Sequence, residues 1–302
     1  MQYTHEIIKG IAHANMLPKG TSLVLEGGGT RGFFSAGVFE AFMDEGIMFP
    51  YILGISAGAA NAMSYIAGQR GRNRQIVAQY ISHKDYVSFR NLFKVKSLFG
   101  YDYIFKTIPQ NHVFWDEEIF NATDTRFIIG TIDINTGKSC WFEKDEIDLS
   151  DCINTLIAAC SLPLLSEIVH YGGKELMDGG ISDPIPIEKA IADGNDFHVV
   201  VLTRNMGYRK APFKFKGLMK LFYKKYPHFI DAVVNRHIIY NRQLALCEKL
   251  AQEGKAIIIR PQTPLSLGRS ATDTNKLLQL YDEGHDEGKK AVDKLKAAGI
   301  FV

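Results

Sequence analysis

The chain is poor in cysteine and in net charge, it has no run long enough to span a membrane, and its first residues do not read as a leader. Its 302 residues contain four cysteines, Cys140, Cys152, Cys160 and Cys247. None forms C-x-x-C and none sits beside a histidine at metal-ligand spacing, which argues against a disulfide framework and a zinc site. Cys152 and Cys160 fall in an apolar stretch and read as buried free thiols, as expected in a reducing compartment. The formal net charge is only +2, so bulk electrostatics call for neither nucleic acid nor an acidic partner. No run approaches the roughly 18 consecutive apolar residues that span a bilayer. Met1–Leu17 is broken by His5, Glu6, Lys9 and His13, unlike a signal peptide. The expectation is a cytoplasmic, globular protein. A hydrophobic content of 46% and a charged content of 23% suit a sizeable core. Repeats, low-complexity tracts and interdomain linkers are also missing.

What is present alternates between strand and helix signals. Residues 5–17 predict a short helix. Ser22-Leu23-Val24-Leu25-Glu26 is a short apolar run stopped by three glycines, hence a buried strand. Apolar residues at helical spacing predict a helix from Phe33 to Glu45, ended by Gly46. A strand at 51–55 and a helix at 57–67 follow. This β-α-β-α order makes the two strands parallel neighbours joined by a right-handed crossover. Residues 69–123 read as a helical insertion with pieces near 73–82, 101–108 and 115–121. Strands at 126–134 and 139–143 flank an Asn135-Thr136-Gly137 hairpin turn, and 151–159 is helical. Residues 167–171 and 175–177 form a second hairpin. A helix at 187–192, a strand at 197–203, a long helix at about 227–252, a strand at 256–260 and a helix at about 273–298 complete the chain. The fold class is α/β: a central, largely parallel sheet flanked by helices in three layers. The expected division is 1–205, and a mostly helical region, 206–302, packed on the same domain.

Two glycine-rich turns carry the chemistry. Gly54-Ile55-Ser56-Ala57-Gly58 joins a strand to a helix so tightly that Ser56 is presented at a helix N-terminus. That is a nucleophile elbow and suggests acyl transfer through a serine ester. Gly27-Gly28-Gly29-Thr30-Arg31-Gly32 fits G-x-G-x-x-G, but the next strand ends in Gly54-Ile55-Ser56 rather than in the acid that holds a dinucleotide ribose. A P-loop would need Gly-Lys-Ser/Thr where Arg31-Gly32-Phe33 stands. The other use of such a loop is an oxyanion hole, in which bare backbone N–H groups converge on one point. The topology brings this loop beside Ser56.

A serine nucleophile needs a base. His83 and His112 lie in the insertion, His170 precedes a glycine pair, and His198 is inside a strand. His228 and His237 lie on the long helix and His285 in a charged stretch; none sits in a glycine-rich loop after a strand. Asp178, after Leu176-Met177 and before Gly179-Gly180, is a carboxylate at a strand end. It reads equally as an Asp-Gly turn or as a site residue.

Together these pieces resemble the patatin-like phospholipases, whose pattern is G-G-G-x-R/K-G, then G-x-S-x-G, then a distant D-G-G/A. Here they are Gly27–Gly32, Gly54–Gly58 and Asp178–Gly180, in that order. Leu23–Glu26 and Asp183-Pro184-Ile185-Pro186 are similar to the bacterial branch, and Ala158–Pro163 to a further family block. The resemblance covers roughly 20–205. It implies a Ser–Asp dyad, with Ser56 as nucleophile and Asp178 as base. Gly27, Gly28 and Gly29 would supply oxyanion N–H groups with Arg31 beside them, and Gly32, Gly54, Gly58, Gly179 and Gly180 would shape the motifs. It implies hydrolysis of fatty-acyl esters of phospholipid or lysophospholipid, with no metal and no cofactor. Glu26 stands where plant members carry Asp, a change the family tolerates.

Arg204–Tyr226 holds eight Lys or Arg and no acid, interleaved with aromatics. It reads either as peripheral contact with an anionic membrane or as a solvated basic helix with its aromatics in the core. No base-reading motif accompanies it, so no nucleic-acid partner is expected. Two rivals remain open: a general esterase with a Ser-His-Asp triad using a histidine such as His198, and a non-catalytic lipid-binding protein.

Overall fold

The computed structural model describes residues 15–264 and 266–301. The chain begins with β1 (Asn15–Met16), β2 (Thr21–Leu25), a 3-10 turn at Gly29–Gly32, α1 (Phe33–Asp44), β3 (Ile47–Met48), β4 (Tyr51–Ile55) and α2 (Ala57–Ile66). A helical segment follows, with α3 (Arg72–Gln79), α4 (Phe89–Lys94), a π-helical turn at Tyr103–Thr107, α5 (Ile108–Asn111) and α6 (Glu117–Ala122). Next come β5 (Arg126–Asp133), β6 (Lys138–Glu143), α7 (Leu149–Cys160), β7 (Val169–Tyr171), β8 (Lys174–Asp178), α8 (Ile187–Ala192) and β9 (Phe197–Val201). The last elements are α9 (Lys216–Phe222), α10 (Pro227–Gln252), β10 (Ala256–Ile259) and α11 (Thr274–Ala297).

Among the described residues the main sheet has eight strands. β10, β9, β2, β4 and β5 are parallel neighbours in that order, and β6, β8 and β7 extend it antiparallel. Each central strand is buried on both faces, so its side chains divide by alternation. Leu23, Leu25, Ile52, Val199 and Val201 pack with α1, α2 and α11. Val24, Leu53, Ile128 and Val200 pack with α8 and α10. This is the expected three-layer α/β architecture. Beyond residue 205, β10 extends the sheet and α11 joins the first face, lying close to α1 where Gly284 meets the Phe34 carbonyl and Gly288 meets Ala41.

Local expectations failed where elements are too short to carry a period. Asn15 and Met16 are extended, not helical, and pair in parallel with Ile47 and Met48, a strand the sequence reading missed. The rest of the helix predicted over 5–17 lies outside the described residues, apart from Leu17, which follows β1. α4 was also missed. In the basic stretch only Lys216–Phe222 is helical.

The strand register assembles a junction. β5 pairs with β4 up to Ile55↔Gly130 and with β8 from Thr131↔Asp178 onward, while β6 runs along residues 128–133 of β5. β4 and β8 therefore approach head to head along one edge of β5. Their carboxyl ends meet at adjacent β5 residues, Gly130 and Thr131.

Candidate active site

Ser56 follows Ile55 at that junction. Its backbone has φ 53° and ψ −129°, a conformation strained for any residue with a Cβ. The turn survives because its surroundings are bare. A Cβ on Gly54 would lie 2.5 Å from the Ala59 Cα, and one on Gly27 would lie 2.7 Å from the Ser56 Cβ. Gly58 backs onto the Glu26 carbonyl and Gly32 onto the Ala57 methyl. α2 begins at Ala57, so its N-terminus faces the Ser56 position.

The first glycine loop lies alongside. The Thr203 hydroxyl donates to the Gly27 carbonyl at 3.0 Å, and the Thr203 N–H donates to the Glu26 carboxylate at 2.7 Å. Glu26 thus ties the loop to the end of β9. Gly28 packs on Thr203, and Gly29, with φ +59°, packs on the Arg269 carbonyl. That carbonyl also accepts the Thr30 N–H at 2.8 Å. The N–H groups of Gly27 and Gly28 find no acceptor among the described residues. Gly28 is buried, and buried unpaired amides are rare in folded proteins. Arg31 is buried, with Arg204, Arg269, Glu26 and Tyr208 as charged or titratable neighbours.

Asp178 ends β8 and is buried. Its carboxylate accepts the Gly180 N–H at 2.7 Å, and the Ser56 hydroxyl is close enough to lower its proton affinity. Burial pushes the Asp178 carboxyl above the usual carboxylate range, against the pull of Arg236 and the Ser56 hydroxyl. Gly179 packs on the Gly130 carbonyl, and a Cβ on Gly180 would lie 3.1 Å from an Arg236 Nη. Ser56, Asp178 and both glycine loops are thus brought to one place. A group poised to accept a proton, a hydroxyl on a helix N-terminus and two unpaired amides are the components of acyl transfer.

Two hollows adjoin this place. One, of about 70 Å³, runs from Ser56 between Phe33, Tyr86, Tyr101 and Phe105 and is almost wholly apolar. The other, of about 450 Å³, shares the walls Phe99 and Leu162 with it and is rimmed by Lys210, Arg236 and Arg269.

Sequence reasoning missed Arg236, Arg269 and Cys160. Cys160 lines the Ser56 hollow, and burial holds its thiol protonated. Arg236 had a faint signal: it falls in line with buried Val233 and Tyr240 on α10, where a charge is out of place unless it has a task. The histidines are elsewhere. His198 sits at the start of β9, bonded to the Ser22 hydroxyl at 2.7 Å, and burial pushes its imidazole down to about 4. Ser22 is level with both His198 and Tyr51. Ser56 is five residues beyond Tyr51, so at about 3.3 Å per residue it lies about 16 Å further along the sheet. His237 lines the larger hollow but not the Ser56 hollow. Among the described residues no three His, Cys, Asp or Glu gather as for a metal ion, and no helix is long and apolar enough to cross a membrane.

The fold and junction define a three-layer α/β protein with a serine on a strained strand-to-helix turn beside a buried aspartate. The patatin-like phospholipase model matches residues 23–191, and the chain belongs to that family. A domain of unknown function (DUF6363) matches residues 226–298. The uncharacterized protein YjjU of Escherichia coli (strain K12) is 27% identical over 191 residues, 62% of this chain and 52% of that protein. The lysophospholipase NTE1 of Yarrowia lipolytica is 23% identical over 92% of this chain but only 20% of its own length. The chain therefore spans about half of the first relative and a fifth of the second. The structure of VipD from Legionella pneumophila aligns with 91% of this chain and 67% of its own, at 13% identity and a TM-score of 0.47.

Proposed function

We propose that the chain is a serine hydrolase of fatty-acyl esters, acting on phospholipid or lysophospholipid through a Ser56–Asp178 dyad. The observation that carries the reading is the head-to-head meeting of β4 and β8 on β5, which sets Ser56 beside a buried carboxyl of raised proton affinity. The Ser56 Oγ attacks the ester carbonyl carbon and its proton passes to Asp178. Negative charge growing on the carbonyl oxygen is taken up by the amides of Gly27, Gly28 and Gly29, at roughly 3 kcal/mol for each well-aimed donor. Arg31, behind the loop, adds positive potential. As the tetrahedral intermediate collapses, the leaving alkoxide takes the proton from Asp178. Water then attacks the acyl-serine, giving its proton to Asp178, and Ser56 recovers a proton as the fatty acid leaves. The raised proton affinity of Asp178 narrows the gap between a carboxylate and the alkoxide it must protonate. The small hollow at Ser56 suits the carbonyl end of an acyl chain, and the larger, mostly apolar groove beside it has room for more of the substrate.

The NTE1 relative is named a lysophospholipase, in keeping with this substrate class. The position of His198, far along the sheet from Ser56, counts against a triad that uses it. A cytoplasmic enzyme working on a lipid surface completes the reading. Phe215, Leu218, Leu221 and Phe222 are exposed among Lys214, Lys216, Lys220, Lys224 and Lys225. Leu218 and Phe222 share a depression with Lys96, just beyond α4, which exposes Phe89 and Phe93. Such a basic, aromatic surface suits an anionic bilayer. The deciding experiment is covalent labelling by a fluorophosphonate: wild type is expected to label at Ser56, and Ser56→Ala not at all. Ser56→Ala and Asp178→Asn should each abolish ester hydrolysis. An unlabelled wild-type protein would sink the proposal in favour of a lipid-binding one.

A further inference from the structure

Ion pairing in this protein is uneven. Of the chain's twelve arginines, seven make ion pairs with Asp or Glu: Arg70, Arg74, Arg90, Arg126, Arg209, Arg242 and Arg260. Arg72 is held by the Val113 and Phe114 carbonyls and the Ser64 hydroxyl. The other four, Arg31, Arg204, Arg236 and Arg269, make no ion pair among the described residues, and all four gather behind or beside the Ser56 junction. Lys210 joins them, also without an ion pair.

Three of these cations, Lys210, Arg236 and Arg269, line the 450 Å³ groove next to the Ser56 hollow, together with Lys214; the rest of its wall is mostly apolar, from Leu98 and Phe99 to Met219 and Val233. Among the described residues no Asp or Glu lines it. The Arg236 Nε is buried and has no hydrogen-bond acceptor. The groove is built rather than incidental. Asn241 on α10 fixes the Lys210 backbone from both sides, accepting its N–H at 2.8 Å and donating to its carbonyl at 3.0 Å. The Arg269 carbonyl is fastened to the Thr30 N–H of the glycine loop. The three cations also oppose one another: burial pushes the Lys210 ammonium down to about 7, and Arg236 and Arg269 push it the same way. Glu26 and Asp178 offset part of this charge from a distance without ion-pairing to it, and the repulsion that remains is a cost that a bound anion removes.

We infer that the groove formed by Lys210, Arg236 and Arg269 is a binding site for the phosphate of an acyl-ester substrate that carries no compensating cation. The inference rests on the hydrolase reading and narrows it. The shared walls Phe99 and Leu162 put a phosphate at the cationic side of this groove near an ester carbonyl at Ser56, with only the carbonyl end of the acyl chain entering the small apolar hollow. Two guanidiniums, with an ammonium that a bound phosphate holds protonated, match a phosphate through charge-assisted hydrogen bonds. A choline or ethanolamine ammonium would meet three like charges and no carboxylate. The preferred substrates are therefore lysophosphatidate-like or phosphatidate-like esters, with zwitterionic lipids disfavoured.

The test uses the full chain and three monomeric substrates of one acyl chain: lysophosphatidate, lysophosphatidylcholine and monoacylglycerol. Wild type is expected to show the highest kcat/KM on lysophosphatidate. Lys210→Gln and Arg269→Gln are each expected to lower the lysophosphatidate-to-monoacylglycerol ratio of kcat/KM by about tenfold or more. Equal kcat/KM on all three substrates, or an unchanged ratio in both variants, overturns the inference. A second arm does not depend on turnover: calorimetric titration with glycerol 3-phosphate and with inorganic phosphate. Tighter binding of glycerol 3-phosphate, weakened in both variants, supports a lipid headgroup. Binding of inorganic phosphate as tight or tighter marks a free-phosphate site and overturns the substrate assignment, as does no binding of either. If no substrate is hydrolysed and Ser56 does not label, the hydrolase reading fails, and the calorimetry still decides the groove.

Discussion

The Ser56 backbone allows a thermodynamic test that is independent of substrate. At φ 53° and ψ −129° a residue with a Cβ is strained by about 1–3 kcal/mol, whereas glycine adopts such angles freely. Ser56→Ala removes the hydroxyl and keeps the strain; Ser56→Gly removes both. At an ordinary buried site, Ala→Gly costs about 0.5–1 kcal/mol of backbone entropy and up to about 0.8 kcal/mol of lost methyl burial, about 1.5 kcal/mol in all. Here relief of about 2 kcal/mol of strain offsets that loss, so Ser56→Gly should be at least as stable as Ser56→Ala. Urea unfolding of the two inactive variants, followed by far-ultraviolet circular dichroism, measures the difference. For 302 residues each kcal/mol corresponds to about 1.6 °C in a thermal melt. A Ser56→Gly protein less stable than Ser56→Ala by about 1.5 kcal/mol would refute the strain, and with it the claim that the fold holds this serine in a high-energy turn.

Two further outcomes follow from titration. Asp178 must be ionised to accept a proton, and burial raises its proton affinity, so kcat/KM should fall with pH along a limb displaced upward from the ordinary carboxylate range. With its folded pKa above its unfolded one, ionised Asp178 also costs stability at neutral pH. Asp178→Asn should therefore be the more stable protein at pH 7, with the advantage vanishing below the unfolded carboxyl pKa. For His198 the sign is opposite: its folded pKa, about 4, lies below the unfolded value of about 6.5. The stability it contributes is present above the unfolded value and is lost as pH falls toward 4. His198→Asn should flatten that part of the pH–stability profile, and it should still label with fluorophosphonate; loss of labelling in a folded His198→Asn protein would restore the triad.

The sequence by itself determined what depends on near neighbours in the chain. Alternating and continuous apolar runs marked the strands from Thr21 to Leu25, Tyr51 to Ile55 and Phe197 to Val201, because a strand buried on both faces needs such residues wherever it sits. Glycines marked the two turns, because the backbone at Ser56 and Gly29 cannot form otherwise. Helix α10 came out with its observed bounds, since several turns of period 3.6 are hard to mistake. The two-residue strands β1 and β3 were invisible because nothing repeats in two residues.

Tertiary structure alone decided what the turns face. Asp178 read as well as an ordinary turn until register set β8 against β5 one residue beyond the end of β4, bringing together groups 122 positions apart. The groove beside them draws Lys210, Arg236 and Arg269 from a loop, a helix and a second loop, none carrying a local motif. A cation's lack of a carboxylate partner is a property of the packed molecule. Electrostatic energy depends on distance in space, and the order of residues along the chain does not encode it.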